Sequence, residues 1–354
     1  MKLYNIFIIT FLSLIIFACG GEKKPTPPPF SLKIEGETGK FPLNTALKAK
    51  VSNKENLTIA SITYSINDQE LTNTSTNPLE LETIIPENTL LGKHFLKAVV
   101  SYDDGKTKSV RDQLTILSNT APKVYTYKIV NTFPHDVKAY TQGLEFYRDT
   151  LFESTGQRGE SSLRKVDYKT GKVYQKIDLD NRYFGEGITV LNDKLYMLTW
   201  RSNTGFIFNP DNLERLDTFT YQNSKEGWGL CTDGEKLFKS DGTEKIWILD
   251  PATLKEQYAI QVCDNKRTYI KANELEYIDG KIFANSYQKP SMMIINPING
   301  ALEGIIDFRG LKEKVTNHPN IDVFNGIAYN AKTNTYFVTG KYWDKLFEVE
   351  IMVK

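Results

Sequence analysis

The feature that most constrains the fold of this chain is a repeat that runs through its C-terminal two thirds. Five segments begin with similar motifs, whose first residues are 44, 42, 45 and 52 positions apart. The motifs are QGLEF at 142–146, EGITV at 186–190, WGLCT at 228–232, NELEY at 273–277 and NGIAY at 325–329. A turn and further β-type segments follow each motif, and four antiparallel strands per repeat are typical of β-propeller blades. The repeat predicts an all-β fold with a five-bladed propeller over residues 124–354.

The two ends of this region are predicted to pair with each other. The fifth repeat stops after its third strand, LFEVEI at 346–351, and therefore lacks an outer strand. The segment VYTYKIV at 124–130 precedes the first repeat and belongs to none of the five. Pairing the two segments closes the ring and removes two exposed strand edges.

The first residue of each repeat is predicted to precede the innermost strand of its blade. Because the blades of a propeller form a ring, these five side chains are expected to meet at one mouth of its central channel. These residues are Gln142, Glu186, Trp228, Asn273 and Asn325. Packing alone favours small or apolar residues there, whereas four of the five are polar. The second strands end in Gly156, Trp200, Gly242, Tyr287 and Lys341. We predict a shared pocket in which Lys341 lies near Glu186. The alternative is a set of solvent-facing loop residues, for which Trp228 is a poor choice.

Several motifs in this region carry a family resemblance. They include YTQGL at 140–144, LFESTG at 151–156, YFGEG at 183–187, GWGL at 227–230, DVFNGIA at 322–328 and VTGK at 338–341. In this order, they resemble the plant- and bacterial-type glutaminyl-peptide cyclotransferases across nearly all of residues 124–351. The resemblance implies a five-bladed propeller that converts the N-terminal glutamine of peptides or proteins to pyroglutamate and releases ammonia. It also implies that no catalytic metal is used.

The resemblance implies roles for individual residues as well. The acid and base of the family falls on Glu186, and we expect Lys341 and Asn273 to share in catalysis. We expect substrate contacts from Gln142, Phe184, Trp228, Tyr287 and Asn325. The family usually has a tryptophan at the position of Tyr287, which begins the segment YQKP at 287–290, so the pocket is expected to differ in shape there.

The chemistry of cyclisation fits a single carboxyl group. The reaction needs a neutral α-amine, with an ordinary pKa of about 7.7–8.0, and a proton for the departing nitrogen. One carboxyl can accept the first proton and donate the second. Burial against Trp228 and Phe184 is expected to raise the pKa of Glu186, whereas Lys341 is expected to lower it, and the sequence leaves the balance open.

The N-terminal part of the chain has a different pattern. Residues 31–118 alternate between apolar and polar side chains in short segments separated by turn signals, which predicts a small immunoglobulin-like β-sandwich. The segment NTAPK at 119–123 is the linker. Because residues 31–118 contain no cluster of acids, histidines or cysteines, we expect a spacer or binding role for them.

The first thirty residues are predicted to be a targeting segment. An apolar run at 6–17 is too short to span a bilayer, and it leads into IFACG at 16–20, which resembles a bacterial lipobox with Cys19 as the lipidated residue. An ordinary signal peptide is the alternative. Residues 1–19 are then the signal with its lipobox cysteine, and 20–30 form a Pro-rich spacer. The expectation is a lipid-anchored protein of the cell envelope, in the outer membrane, facing either the periplasm or the outside.

Composition narrows the remaining alternatives. The formal net charge of +1 gives no electrostatic case for nucleic acid, and three histidines in 354 residues argue against a His-rich metal centre. Cys231 and Cys263 are predicted either to pair or to be free. Two other functions stay open: a non-catalytic propeller that binds peptides or glycans, and a metal-dependent hydrolase or lactonase. A structural cation in the channel is compatible with each of them.

Overall fold

The computed structural model describes residues 28–36, 38–75 and 79–354, and they form an all-β molecule. The single helical element among them is a short 3-10 turn at Lys312–Lys314. In the described part of the chain, no helix has the length and apolar character needed to span a bilayer. Cys19 and the predicted signal and lipobox lie outside the described residues.

The described residues of the N-terminal part form eight strands. They are β1 (Phe30–Ile34), β2 (Lys40–Pro42), β3 (Ala46–Asn53), β4 (Ile59–Ile66), β5 (Gln69–Thr74), β6 (Glu80–Ile84), β7 (Gly92–Tyr102) and β8 (Lys106–Leu117). One sheet has the order β1-β3-β6 and the other has the order β2-β8-β7-β4-β5. Side chains of β3 and β7 alternate between buried and more exposed positions, as expected for strands with one face on a core. Asn67 and Asp68 both have positive φ in the two-residue turn between β4 and β5, which is the conformation of a type I′ hairpin.

The C-terminal part contains twenty strands. They are β9 (Lys123–Pro134), β10 (Thr141–Tyr147), β11 (Thr150–Thr155), β12 (Ser162–Asp167), β13 (Lys172–Asp178), β14 (Gly185–Leu191), β15 (Lys194–Thr199), β16 (Gly205–Phe208), β17 (Arg215–Phe219), β18 (Leu230–Thr232), β19 (Leu237–Ser240), β20 (Lys245–Leu249), β21 (Glu256–Gln261), β22 (Ala272–Ile278), β23 (Lys281–Ser286), β24 (Ser291–Ile295), β25 (Leu302–Asp307), β26 (Phe324–Asn330), β27 (Thr335–Gly340) and β28 (Lys345–Val353).

These strands form four-stranded antiparallel groups in chain order. Strands β10–β13, β14–β17 and β18–β21 are three separate sheets, and an eight-stranded sheet has the order β22-β23-β24-β25-β9-β28-β27-β26. The innermost strands contact each other in a closed cycle, β10 to β14 to β18 to β22 to β26 and back to β10. Four of the five predicted repeat motifs begin at the second residue of an innermost strand, and the third begins two residues before β18.

Glycines allow the innermost strands to approach closely. A Cβ atom on Gly187 would lie 2.6 Å from the carbonyl oxygen of Trp228, and one on Gly229 would lie 2.0 Å from the carbonyl oxygen of Asn273. The backbone amide of Gly187 donates a hydrogen bond to the same Trp228 carbonyl over 2.7 Å. The glycine after the first residue of a repeat therefore sets how tightly neighbouring groups pack.

The expected pairing of the two ends is confirmed. Strand β9 pairs antiparallel with β28, with Ile129 opposite Val349 and Tyr127 opposite Ile351. The start of β9 also pairs in parallel with β25. Strand β9, from the start of the region, therefore lies between β25 and β28.

The N-terminal part packs against the outer strands of the C-terminal part. Gln261 at the end of β21 accepts a hydrogen bond from the backbone amide of Lys93 at 3.1 Å and donates one to its carbonyl at 3.3 Å. Gly92 has a φ of +105°, and a Cβ there would lie 2.3 Å from the Gln261 side chain. Cys263 and Ala301 are buried in the same apolar cluster as the core of β1–β8. Cys231 and Cys263 are both buried free thiols.

Candidate active site

Side chains from all five four-stranded groups surround a cavity of about 480 Å³. Seven of the eight predicted catalytic and substrate-binding residues line it, namely Gln142, Phe184, Glu186, Trp228, Asn273, Tyr287 and Lys341. The remaining one, Asn325, is fully buried behind the cavity wall. Ring geometry therefore brings together residues that are up to 199 positions apart in the chain.

Glu186 is the buried carboxyl group of this cavity, with 4% of its surface exposed. Its Oε1 accepts a hydrogen bond from Nε2 of Gln142 over 2.8 Å, and its Oε2 has no hydrogen-bond partner among the described residues. Burial raises the pKa of Glu186 well above its ordinary value, against the opposing effect of Lys341 and the hydrogen bond from Gln142. The negative charge of Glu226 adds to the increase. Burial thus decides the balance that the sequence left open.

A chain of buried amides supports Gln142 from behind. Nδ2 of Asn273 donates to Oδ1 of Asn325 over 2.8 Å. Nδ2 of Asn325 donates to the backbone carbonyl of Thr141 at 3.0 Å and to Oε1 of Gln142 at 3.4 Å. Because Asn325 accepts a hydrogen bond from the fourth repeat and donates hydrogen bonds to the first, it fixes the relative positions of Asn273 and Gln142.

Lys341 enters the cavity from the end of β27 and has 2% of its surface exposed. Its Nζ lies 4.6 Å from the ring centre of Tyr140 and 5.7 Å from that of Tyr287. None of the ion pairs within 4 Å among the described residues joins Lys341 to Glu186. Burial lowers the pKa of Lys341, while the carboxylates of Glu186 and Asp322 oppose that decrease. The cation is therefore held over aromatic faces, where cation–π attraction stabilises it.

Aromatic rings form the remaining walls, and two glycines make room for them. A Cβ atom on Gly156 would lie 2.3 Å from the ring of Phe184, and one on Gly242 would lie 2.5 Å from the ring of Trp228. The Trp228 ring meets Tyr287 edge to face, with centroids 5.2 Å apart. The glycines that end two of the five second strands thus leave space for the two rings predicted to face the substrate.

Comparisons with known proteins in sequence and in structure identify the family. A sequence model described as "Glutamine cyclotransferase" matches residues 100–351. The glutaminyl-peptide cyclotransferase of Arabidopsis thaliana is 43% identical over 232 residues, which cover 65% of this chain and 72% of that protein. The crystal structure of Myxococcus xanthus glutaminyl cyclase superposes with a TM-score of 0.62 at 33% identity and covers 66% of this chain and 99% of that one. The chain belongs to the glutamine cyclotransferase family.

Membership of the glutamine cyclotransferase family makes this chain an enzyme and supports glutamine cyclotransferase activity. The matched residues contain every side chain that lines the cavity. The match begins in β7, ahead of β9, so it includes the end of the N-terminal part as well as the whole set of repeats.

Glu226, which was not predicted from the sequence, connects the Trp200 and Trp228 walls of the cavity. Its Oε2 accepts hydrogen bonds from Nε1 of Trp200 at 2.7 Å and from Nε1 of Trp228 at 2.8 Å, and its Oε1 accepts one from Nε of Arg201 at 2.6 Å. Partial burial opposes ionisation, but these donors hold the pKa of Glu226 below its ordinary value. Glu226 lies two residues before Trp228, in the segment KEGWG at 225–229, and this proximity to a predicted site residue could have indicated its role.

A buried ion pair supports the segment that carries Glu226. Nζ of Lys239 lies 3.0 Å from Oε1 of Glu256, and both side chains are at most 1% exposed. Lys239 also donates to the carbonyl of Glu226 at 3.1 Å, while Glu256 accepts from the backbone amide of Ser224 at 3.0 Å. The pair thereby fixes the backbone on which Glu226 and Trp228 are mounted.

No catalytic metal is implied for this site by the family resemblance. Among the described residues, no group of three or more histidine, cysteine, aspartate or glutamate side chains is arranged to hold a metal ion.

Proposed function

We propose that this chain converts the N-terminal glutamine of peptides or proteins to pyroglutamate and releases ammonia. The observation that carries the proposal is the buried carboxyl of Glu186, which has one oxygen fixed by Gln142 and the other unpartnered. Its support is the family membership, together with a cavity large enough for a glutaminyl residue and lined by aromatic and amide side chains.

The proposed reaction has two proton transfers. The neutral α-amine attacks the side-chain amide carbon of the glutamine, a C–N bond forms, and the proton lost by the amine passes to Oε2 of Glu186. Glu186 then returns this proton to the former amide nitrogen, the second C–N bond breaks, and ammonia leaves with the lactam formed. Protons and charges balance with a single carboxyl group, which fits general acid–base catalysis.

Other residues of the cavity have positioning and charge-stabilising roles in this proposal. The Lys341 ammonium stabilises negative charge that develops on the amide oxygen in the tetrahedral intermediate, and Asn273 hydrogen-bonds the substrate from the opposite repeat. Trp228, Phe184 and Tyr287 exclude water and hold the flexible glutamine side chain bent towards its own amine. Because the reaction is intramolecular, this conformational restriction accounts for much of the rate increase.

The roles of Gln142 and Asn325 follow from their hydrogen bonds. Gln142 fixes one oxygen of Glu186, and Asn325 orients Gln142 from behind the wall. We therefore assign Asn325 to positioning, which differs from the direct substrate contact expected from its place in the repeat. The steps require no metal ion, in agreement with what the family resemblance implies.

We infer that the architecture is a five-bladed β-propeller preceded by an immunoglobulin-like β-sandwich. The closed cycle of β10, β14, β18, β22 and β26 supports five blades, and β9 supplies the outer strand of the fifth. Two sheets around one apolar cluster support a sandwich for residues 31–118, with the propeller beginning near 124.

We also propose that the mature protein is anchored in the cell envelope through lipid on Cys19. The support is the sequence IFACG at 16–20 after a short apolar run, followed by a Pro-rich spacer at 20–30. The spacer would separate the folded part from the membrane surface, in the outer membrane according to this proposal.

The activity is tested with a glutamine-initiated peptide followed by mass spectrometry. The expected result is a loss of one ammonia at a rate well above that in buffer, with and without EDTA. The same peptide with an acetylated α-amine is the control, because it cannot cyclise by this route. Binding of the peptide without turnover would favour the non-catalytic alternative, and activity that EDTA abolishes and added metal restores would favour the metal-dependent one.

A further inference from the structure

A second cavity adjoins the candidate active site and has an unusual charge. It has a volume of about 460 Å³, and we call it the basic groove, defined by Arg267, Lys271, Lys289, Tyr287, Ile270 and Met293. Arg267, Lys271 and Lys289 are its only lining residues with ionisable acidic or basic groups other than its tyrosines. The groove therefore presents three cations and no carboxylate.

The three cations are exposed and have no carboxylate neutralising them at close range. Among the described residues, none of them takes part in an ion pair within 4 Å. Arg267 donates to the hydroxyl of Tyr269 at 3.4 Å, and that hydroxyl in turn donates to Asp264 at 2.8 Å. Asp264 therefore interacts with Arg267, but it already accepts hydrogen bonds from Tyr269 and from the backbone amides of Lys266 and Arg267.

The basic groove is continuous with the candidate active site. Lys271 and Tyr287 line both cavities. Nζ of Lys271 lies 5.6 Å from the ring centre of Tyr287, so these two side chains form the boundary between the basic groove and the active-site cavity. A peptide whose first residue is at Glu186 can extend its following residues over this rim, because the two cavities share Lys271 and Tyr287.

A different cavity on the other side of the rim provides the comparison. It has a volume of about 500 Å³ and shares Glu226, Trp228 and Lys271 with the active site. Its lining contains both signs of charge, because it includes Lys225 and Lys245 as well as Asp241 and Glu244. We call it the mixed groove. Its charge gives no reason to select either sign of substrate, in contrast to that of the basic groove.

We propose that the basic groove binds the residues that follow the N-terminal glutamine and selects substrates with acidic side chains there. This inference rests on the proposed cyclase function. Ile270 is 59% exposed beside the cations, so the groove also offers apolar surface to the substrate chain. Acidic residues close behind the glutamine are thus the substrate class that the groove recognises.

Three peptide amides test the proposal: Gln-Ala-Glu-Glu-Ala, Gln-Ala-Ala-Ala-Ala and Gln-Ala-Lys-Lys-Ala. Their second residue is constant, so the reacting end is unchanged. Each exposed cation–carboxylate contact is expected to contribute about 1.5- to 5-fold. With two contacts, kcat/KM for the acidic peptide should exceed that for the neutral one by about 2- to 25-fold, chiefly through KM. The preference should decrease as salt is raised, because exposed charges are screened.

Variants identify the groove responsible. Lys289→Glu and Arg267→Glu should reduce or invert the preference for the acidic over the basic peptide. Lys225→Glu, an equal change of charge in the mixed groove, should leave that preference at its original value. Equal effects of the three substitutions would mean that the overall field of the protein, and not the basic groove, sets the preference, and this would overturn the proposal.

A binding measurement separates this proposal from the cyclase assignment. The pyroglutamyl forms of the acidic and basic peptides are titrated into the full protein by calorimetry, without any need for turnover. Tighter binding of the acidic form, lost in Lys289→Glu, supports the groove even if no peptide is cyclised. Cyclisation of the neutral peptide combined with equal binding of acidic and basic forms supports the cyclase and contradicts the groove.

Discussion

Nε2 of Gln142 donates a hydrogen bond to Oε1 of Glu186 over 2.8 Å, and the second carboxylate oxygen of Glu186 has no partner among the described residues. A buried polar atom without a partner costs free energy, and such atoms are uncommon away from functional sites. The arrangement therefore fixes the orientation of the carboxyl group, and in the proposed mechanism the second oxygen is the one that exchanges the proton. It also links Glu186 to the amide chain behind the cavity.

Two neutralising substitutions should move the pH profile in opposite directions. Lys341 lowers the pKa of Glu186 and Glu226 raises it. If activity needs the Glu186 carboxylate, the acidic limb of kcat should move to higher pH in Lys341→Met and to lower pH in Glu226→Gln. The bound substrate amine experiences the same two changes of charge, so the directions of movement test the signs of these charges at the reacting groups. The measurement is kcat against pH for each protein.

Glu244→Gln is the control for this comparison, because Glu244 lines the mixed groove, whereas the indole nitrogens of Trp200 and Trp228 donate their hydrogen bonds to Glu226. Its acidic limb should coincide with that of the parent. Movement of the Lys341→Met and Glu226→Gln limbs in the same direction would contradict the assignment of this limb to Glu186.

The buried pair of His135 and Glu153 should stabilise closure of the ring. His135 lies just after β9, and its Nε2 is 3.0 Å from Oε1 of Glu153 in β11, with both side chains at most 3% exposed. His135→Leu leaves a buried carboxylate without this partner and should lower the free energy of unfolding by about 3–5 kcal/mol. Lys128→Met breaks the exposed Lys128–Glu350 pair, also on β9, and should cost about 0–1 kcal/mol. Denaturant unfolding measures both, and equal losses would contradict the role of burial.

The stabilisation by the His135–Glu153 pair should also decrease at both low and high pH. Burial by itself would lower the pKa of His135, but the charge and hydrogen bond of Glu153, together with the Trp343 carbonyl and the charge of Asp136, raise it. The contribution of His135 is thus present at low pH and is lost as pH rises through its raised pKa. Burial would raise the pKa of Glu153, but His135 and Arg164 hold it below its ordinary value, so its contribution is lost as pH falls through that lowered pKa. The difference in free energy of unfolding between the parent and His135→Leu should be largest at pH values between the lowered pKa of Glu153 and the raised pKa of His135.

Truncation tests the independence of the two parts of the chain. A protein that begins at Lys123 retains β9 and should fold and cyclise peptides, although exposure of Cys263 and Ala301 should lower its melting temperature. A protein that begins at Pro134 loses β9 and exposes the edges of β25 and β28, so it should aggregate. Thermal unfolding and size-exclusion chromatography compare the two. Equal stability would contradict the closure of the ring by β9.

The predicted lipid anchor is tested at Cys19. Cys19→Ala should either release the protein from the membrane fraction or block its processing, because the lipobox cysteine is the residue that would be modified. Fractionation of cells expressing each form, followed by mass measurement of the mature N-terminus, gives the answer. Unchanged membrane association of Cys19→Ala would refute the lipobox interpretation.

The regular features of the fold could be predicted from the sequence because they follow from periodicity. The repeat predicted the five innermost strands, and the unpaired segments at the two ends predicted the β9–β28 ladder. The same ring argument brought Glu186, Asn273 and Lys341 to one cavity. Each of these inferences depends on position along a repeat, which a sequence states directly.

Features that depend on side-chain direction could not be predicted. Asn325 has the same place in its repeat as Glu186, yet its side chain points behind the wall and joins the amide chain. Glu226 lies two residues before the start of its repeat, as Phe184 does in the preceding one, but its contact with the indoles of Trp200 and Trp228 depends on the paths of two separate loops. The raised pKa of Glu186 is a balance between burial and the Lys341 charge, and its sign requires both to be located in space.

The most direct test of the account is the rate of cyclisation by Glu186→Gln. This substitution keeps the size of the side chain and its hydrogen bond with Gln142 but removes the group that accepts and returns the proton. General acid–base catalysis contributes about 10²–10⁴-fold, so kcat for a glutamine-initiated peptide should fall by that factor while binding of the pyroglutamyl product changes little. Circular dichroism establishes that the variant is folded. A folded Glu186→Gln protein whose kcat stays within a few-fold of the parent would contradict the central role of Glu186.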